Sequence, residues 1–233
     1  MGGFMKTIII KTGHGISAQI NSHMLMVALV AIFCIFPGSF AQAHPYIPME
    51  NGAKTLLAYR FHVKNATMTP KPQEVNGEIT MRYDRFEEKS GKRYLRQTTS
   101  YRNIPYFIED QHTWRREENG NVYMASMLHG KWNETLELPE DVGLGKEWEY
   151  FDGEKSKRKI TKIFDLKLDD GKVIADCLEV TRSIVANERL KNVINKSYYC
   201  RDIGDSGSVF QQPSPIGDYV TETKLKSHAK PQE

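Results

Sequence analysis

Apolar and polar residues alternate with a period of two along most of the chain from Leu56 onward. Successive side chains of a strand point to opposite faces, so this period predicts strands with one apolar face. Residues 56–63 form the first such segment and 78–86 (EITMRYDRF) the second. Ser90-Gly91 turns the chain into 93–101, Pro105 breaks that strand, and 106–116 follows. Asn119-Gly120 predicts a tight hairpin, because both residues accept positive φ. The chain returns as 122–128, and His129-Gly130 leads into 132–138. Residues 139–145 (PEDVGLG) interrupt the pattern, as a loop at a sheet corner or the waist of a two-lobed sheet. Segments 147–151, 159–168 and 173–185 resume it, the last two joined by Asp169-Asp170-Gly171. Segment 193–203 follows, then a Gly-, Ser- and Pro-rich loop over 204–217, then a last strand over 219–225. Residues 227–233 read as a flexible tail.

Sustained 3.6-residue apolar spacing is missing, so helices should be few and short. Strands of this length curl to hide an apolar face. The expected fold class is therefore all-β: a long-stranded antiparallel meander curled into a half-barrel or open barrel, one domain over 44–226. Phe164, Leu166 and Leu168 alternate with Asp165 and Lys167, so one face of that strand should be wet.

The first 43 residues break the alternation. Residues 24–36 (MLMVALVAIFCIF) are one apolar run, ended by Pro37-Gly38 and followed by Ala41-Gln42-Ala43. Lys6 and Lys11 are the charges ahead of it. A basic start, an apolar middle and an A-x-A end predict a secretory signal peptide over 1–43. The run is too short for a spanning helix, which needs roughly 20 residues. The mature chain would begin at His44, outside the cytoplasm, in the periplasm or cell envelope.

Removal of the leader changes the charge. The full chain has 32 basic and 29 acidic residues, and Lys6 and Lys11 leave with the leader, so the mature chain carries a net +1. Nothing in that balance calls for a nucleic-acid partner. The basic run Lys155-Ser156-Lys157-Arg158-Lys159 reads as a solvated strand face.

Cys34 also leaves, so two cysteines remain, Cys177 and Cys200. In an oxidising compartment an even count suggests a bridge. A hairpin register with Cys177 opposite Cys200 also sets Ile174 against Ile203, Asp176 against Arg201, Leu178 against Tyr199 and Ile184 against Val193. Three apolar pairs and one opposite-charge pair then fall out together. A structural disulfide is expected, and the missing C-x-x-C spacing speaks against a redox catalyst.

Other segments invite chemistry. Gly204-Asp205-Ser206-Gly207-Ser208 resembles the nucleophile segment of chymotrypsin-like serine proteases, but no histidine lies in a matching context, and a nucleophile without a base has no activation route. A free His44 terminus could grip copper as in lytic polysaccharide monooxygenases, yet His62, His112, His129 and His228 are scattered. Asn65, Asn133 and Asn195 head short glycosylation-type triplets, of use only in a eukaryotic secretory path. Glu87-Glu88, Glu117-Glu118 and Asp169-Asp170 sit at turns, where adjacent carboxylates face apart. Trp114, Trp132 and Trp148 could line a ligand cavity, though core and sheet-edge packing is the commoner use of aromatics.

A family resemblance covers most of residues 46–226. Tyr46-Ile47-Pro48-Met49-Glu50-Asn51-Gly52 with Tyr59 resembles the opening "Y-x-P-x-x-x-G…W-x-Y" of TapB-like secreted domains. Pro139, Gly143 and Trp148-Glu149-Tyr150 repeat that phrase. Asp176-Cys177-Leu178-Glu179-Val180 and Tyr198-Tyr199-Cys200 with Gly204 are similar to the family's closing "D-C-L-x-V…Y-Y…G". The chain differs at Leu56-Leu57, where the family carries a tryptophan, and at Asp205-Ser206, where it carries an apolar pair. The resemblance implies an antiparallel, half-barrel-like secreted domain of unknown biochemical role, similar in outline to periplasmic lipoprotein carriers. It supplies no catalytic residues.

The function expected from the sequence is that of an exported, non-enzymatic, monomeric β-sheet protein with no cofactor or metal. It would bind an apolar small molecule or an envelope protein with its concave face. Assembly by strand addition at a sheet edge is the alternative, and a hydrolase using the Ser206 loop a second one.

Overall fold

The computed structural model describes residues 9–11, 17–19, 44–67, 73–151, 153, 155–184 and 192–231. The chain divides into two compact units, Met1–Gln42 and Ala43–Glu233. In the first, β1 (Ile9–Lys11) pairs antiparallel with β2 (Ser17–Gln19). The apolar run 24–36 and the small residues 41–43 lie outside the described residues.

The second unit is one antiparallel sheet of twelve strands. They are β3 (Lys54–Lys64), β4 (Val75–Lys89), β5 (Lys92–Arg102), β6 (Gln111–Glu118), β7 (Asn121–Leu128), β8 (Lys131–Leu138), β9 (Glu147–Phe151), β10 (Lys155–Lys167), β11 (Val173–Ile184), β12 (Ile194–Cys200), β13 (Gly204–Gln212) and β14 (Asp218–Ala229). No helix occurs among the described residues. The order is β8-β7-β6-β5-β4-β3-β14-β13-β12-β11-β10-β9. Each strand thus pairs with its neighbours in sequence, save β8 with β9, and the first and last strands of the unit, β3 and β14, pair with each other. The two edges, β8 and β9, are consecutive in sequence and meet through side chains. The sheet is a nearly closed barrel with one unsealed seam, and residues 139–146 are the loop that crosses it.

Three segments differ from the alternation pattern. The strand expected from Tyr106 begins at Gln111, because Asn103 turns the chain at positive φ and Ile104 packs against Gly77, whose missing Cβ leaves the room. Residues 204–217, expected as a loop, contain the nine-residue strand β13. Its small residues let it lie close on β14: a Cβ on Gly207 would stand 2.5 Å from the Thr223 carbonyl oxygen. The expected tail over 227–233 is also corrected. Ser227, His228 and Ala229 belong to β14 and pair with Leu56, Thr55 and Lys54. A bulge between Leu225 and Ser227 keeps the strand on its partner, and Thr55 Oγ1 lies 3.0 Å from His228 Nδ1.

The main apolar cluster joins Val122, Leu138, Trp148, Ile160, Leu178, Val180 and Tyr199 around Tyr46 and Ile47. Residues 44–49 therefore fill part of the space between the two arms of the sheet. A second cluster holds Leu57 and Leu225 against Leu168, Ile174 and the disulfide between Cys177 and Cys200. The two cysteines face each other in the β11–β12 ladder, followed by Leu178 opposite Tyr199. On the other side of the cysteines the ladder stops, where Asp176 takes a positive φ. Asp176 still meets Arg201, Nε to Oδ2 at 2.6 Å, and Ile203 packs beside Ile174 in the second cluster. The regular pairing ends at Thr181–Lys196, short of the expected Ile184–Val193 pair; residues 185–191 lie outside the described residues.

Candidate functional site

The seam is held by side chains in place of a ladder. Phe151 N–H donates to Thr135 Oγ1 at 3.0 Å, and Asn133 Nδ2 donates to the Phe151 carbonyl at 3.1 Å. Trp148 Nε1 donates to the Leu136 carbonyl at 3.2 Å, and Arg158 Nη1 to the Glu137 carbonyl at 3.3 Å. Edge carbonyls of β8 are thereby satisfied without a neighbouring strand, which is one way to blunt a sheet edge. Beside these contacts opens a pocket of about 370 Å³, lined by Thr135, Glu149, Tyr150, Phe151, Lys155, Ser156 and Lys157. Phe151 keeps 41% of its exposure there. The basic run splits as a strand must: Lys155, Lys157 and Lys159 face solvent, while Ser156 and Arg158 are buried.

Behind the seam lies a buried polar network. Arg115 of β6 grips Glu137 of β8 with two hydrogen bonds, and its Nη2 also reaches Asp205 Oδ2 at 2.9 Å. Its Nη1 donates to Tyr83 Oη at 3.2 Å and to Gln97 Oε1. Tyr199 Oη donates to Glu137 Oε1 at 3.3 Å. Arg158 stands 3.5 Å over the Tyr150 ring, which gives its desolvated charge a π-face partner. Burial pushes the Glu137 carboxyl up, but the Arg115 guanidinium outweighs it and the net direction is down. For Asp205 burial prevails over the pull of Arg115, and its carboxyl is raised. Burial also drives the Tyr199 phenol well above its ordinary value. These groups form a satisfied charge lattice that ties β4, β5, β6, β8, β12 and β13 together.

A separate set of hydrogen bonds fixes the segment that fills the barrel. The His44 ring is buried, its Nε2 donating to the Pro139 carbonyl at 3.2 Å and its Nδ1 accepting from Tyr46 N–H at 3.3 Å. Burial lowers the His44 pKa. Tyr46 Oη donates to Asp176 Oδ1 at 2.6 Å, and burial with that carboxylate pushes the phenol up to about 12.

The residues singled out in the sequence do not converge. Ser206 is 1% exposed and its hydroxyl donates to the Gly204 carbonyl at 2.9 Å. His44 spends both ring nitrogens on structural hydrogen bonds. No group of three metal-ligating side chains occurs among the described residues. Trp148 is in the core, whereas Trp114 and Trp132 pack on each other at 5.0 Å with Tyr94 beside them. None of the three lines the seam pocket. Of the carboxylate pairs, Glu87 accepts from Trp114 Nε1, Glu118 from Arg116 and Asp169 from Lys224. Glu117 takes the backbone N–H of His44. Arg115, Glu137 and Arg158 were invisible as a set, since a charge on a strand reads as solvent-facing. The one available signal was the strict alternation Ser156, Arg158, Ile160, which puts Arg158 on the apolar side.

No protein-family model matches the chain, and no curated protein matches it. Two crystal structures are similar in fold. One is of a protein from Parabacteroides distasonis ATCC 8503 provisionally named a lipoprotein, at 11% identity and a TM-score of 0.47. The other is of a provisionally named exported protein with a YmcC-like fold from Bacteroides fragilis NCTC 9343, at 10% identity and a TM-score of 0.48. Each alignment covers 81% of this chain and 100% of the other.

Proposed function

We propose that this chain is an exported envelope protein, without catalytic activity, that binds a partner protein at the seam between β8 and β9. Export rests on the leader pattern of residues 1–43 and on the disulfide, which persists in an oxidising compartment. The reading of the site rests on one observation: the two sheet edges meet through side-chain hydrogen bonds in place of a backbone ladder. An extended segment laid between them would displace these side-chain hydrogen bonds, form main-chain ones in their place and put its side chains in the 370 Å³ pocket. Segment 44–49 and the Arg115 network occupy the interior, which weighs against a carrier that swallows its cargo. The resemblance to TapB-like domains fits an exported role and adds no chemistry.

A reversible staple tests this reading. The double substitution Thr135→Cys with Phe151→Cys closes the seam when oxidised and frees it when reduced. A photo-crosslinker at Lys131 should capture an envelope protein from wild type and from the reduced double variant, and lose it on oxidation. Equal capture in both redox states would remove the seam as the site. Capture of an apolar small molecule in the pocket, seen by native mass spectrometry with no protein adduct, would instead favour the ligand-binding alternative.

A further inference from the structure

We propose that the α-amino group freed by cleavage between Ala43 and His44 is a structural element, an ammonium seated on the Glu117 carboxylate that locks residues 44–49 into the barrel. The His44 nitrogen lies 2.9 Å from Glu117 Oε2. Anchoring starts at that atom and continues without a gap. The His44 ring is buried with both nitrogens bonded, and a single neutral tautomer, protonated on Nε2, satisfies both. The Pro45 carbonyl accepts from Asp202 N–H at 2.8 Å, Tyr46 bonds to Asp176, and Ile47 is fully buried. Immediately upstream the sequence offers Ala41-Gln42-Ala43, and the division into two compact units falls between Gln42 and Ala43.

Cleavage adds water across the Ala43–His44 peptide bond. The hydroxyl goes to the Ala43 carbonyl carbon, and the remaining proton goes to the His44 nitrogen, which takes a further proton from solvent. The catalyst is an endopeptidase of the export pathway. Before cleavage only the acceptor of this bond, the Glu117 carboxylate, is charged; afterwards donor and acceptor are both charged and the contact is an ion pair as well as a hydrogen bond. The charged groups around residue 44 are Glu117 from β6, Glu137 from β8, Arg201 beyond β12 and the His44 imidazole itself. Two carboxylates favour the ammonium and one guanidinium opposes it. An amine that gains an anionic partner has its pKa raised on folding. Its contribution is full below the unfolded value near 8, and is lost as pH rises through the higher folded value.

This inference is independent of what the seam binds. The full chain with its leader is expressed in an exporting bacterium, and the purified protein is read by intact mass and N-terminal sequencing. A chain starting at His44 is expected; a retained leader or any other start overturns the proposal. The midpoint of thermal unfolding is then compared for wild type and Glu117→Gln at about pH 6.5 and about pH 9.5. Wild type should lead by about 2–4 °C at the lower pH, with the lead shrinking at the higher one. Glu117 also faces the His44 imidazole and raises its pKa against burial, so a measurement that leaves Glu117 in place is needed to isolate the amine. Selective acylation of the wild-type α-amine is the second arm and should lower the midpoint by a similar amount. A lead independent of pH, or an acylated protein as stable as the free amine, overturns the proposal.

Discussion

Arg115 and Glu137 meet end-on inside the barrel, Nε to Oε2 at 2.7 Å and Nη2 to Oε1 at 2.9 Å, with 3% and 2% of their exposure left. They come from β6 and β8, which are separated in the sheet by β7, so the pair spans a strand. Such a pair is costly to break because the survivor is left charged and dry. Arg115→Met should cost about 3–5 kcal/mol. It is the worse single change, since it leaves Glu137 and Asp205 facing each other. The double variant Arg115→Met with Glu137→Leu should recover part of that loss. Urea unfolding of the three proteins checks it; a double variant as unstable as the sum of its singles would contradict the account.

Acid should unfold the protein in two stages. Neutral His44 is stabilising above its unfolded value near 6.5, and that contribution is lost as pH falls below it, because burial lowers the folded pKa. Asp84, held by Arg96, and Glu134, held by Arg116, are each depressed to about 2. Their contribution is full above the unfolded carboxylate values near 4 and is lost as pH falls through about 2. Thermal midpoints across this range should fall first near neutral pH and again in strong acid. Asp84→Asn should flatten the second fall, and an unchanged acid limb would contradict the assignment.

The disulfide should matter to stability. It closes a loop with a sequence separation of 23, so removing it by Cys177→Ala with Cys200→Ala should cost about 3 kcal/mol. That corresponds to a midpoint lower by about 6–12 °C in a domain of this size. Calorimetry measures the loss. Labelling of native, exported protein after unfolding should find no free thiols at either position.

Position 207 should be far less tolerant than position 206. An alanine at Gly207 meets the Thr223 carbonyl oxygen at 2.5 Å, and the backbone φ of +145° adds strain. Ser206→Ala removes one hydroxyl bonded to Gly204, a loss of about 1 kcal/mol. Stability measurements on both variants separate packing from chemistry. A large loss of an esterase or peptidase activity in Ser206→Ala, with stability intact, would revive the hydrolase reading.

The sequence by itself determined the strand content and much of the register. Period-two alternation, the Asn119-Gly120 turn and the Asp169-Asp170-Gly171 turn are local signals. The pairing of Cys177 with Cys200 followed from neighbours within one hairpin. Local physics misjudged residues 204–212 and 227–229, because small and polar residues pass for loop until a partner strand supplies their hydrogen bonds. Only the tertiary structure decided what lies inside. Arg115, Glu137 and Asp205 are separated by 22 and 90 residues from one another along their bonded pairs, and Tyr46 by 130 from Asp176. The seam was likewise set by closure: β8 and β9 are adjacent in sequence, yet the sheet runs the long way round between them. Contacts of that separation depend on how twelve twisted strands curl, a global property that no window of alternating residues contains.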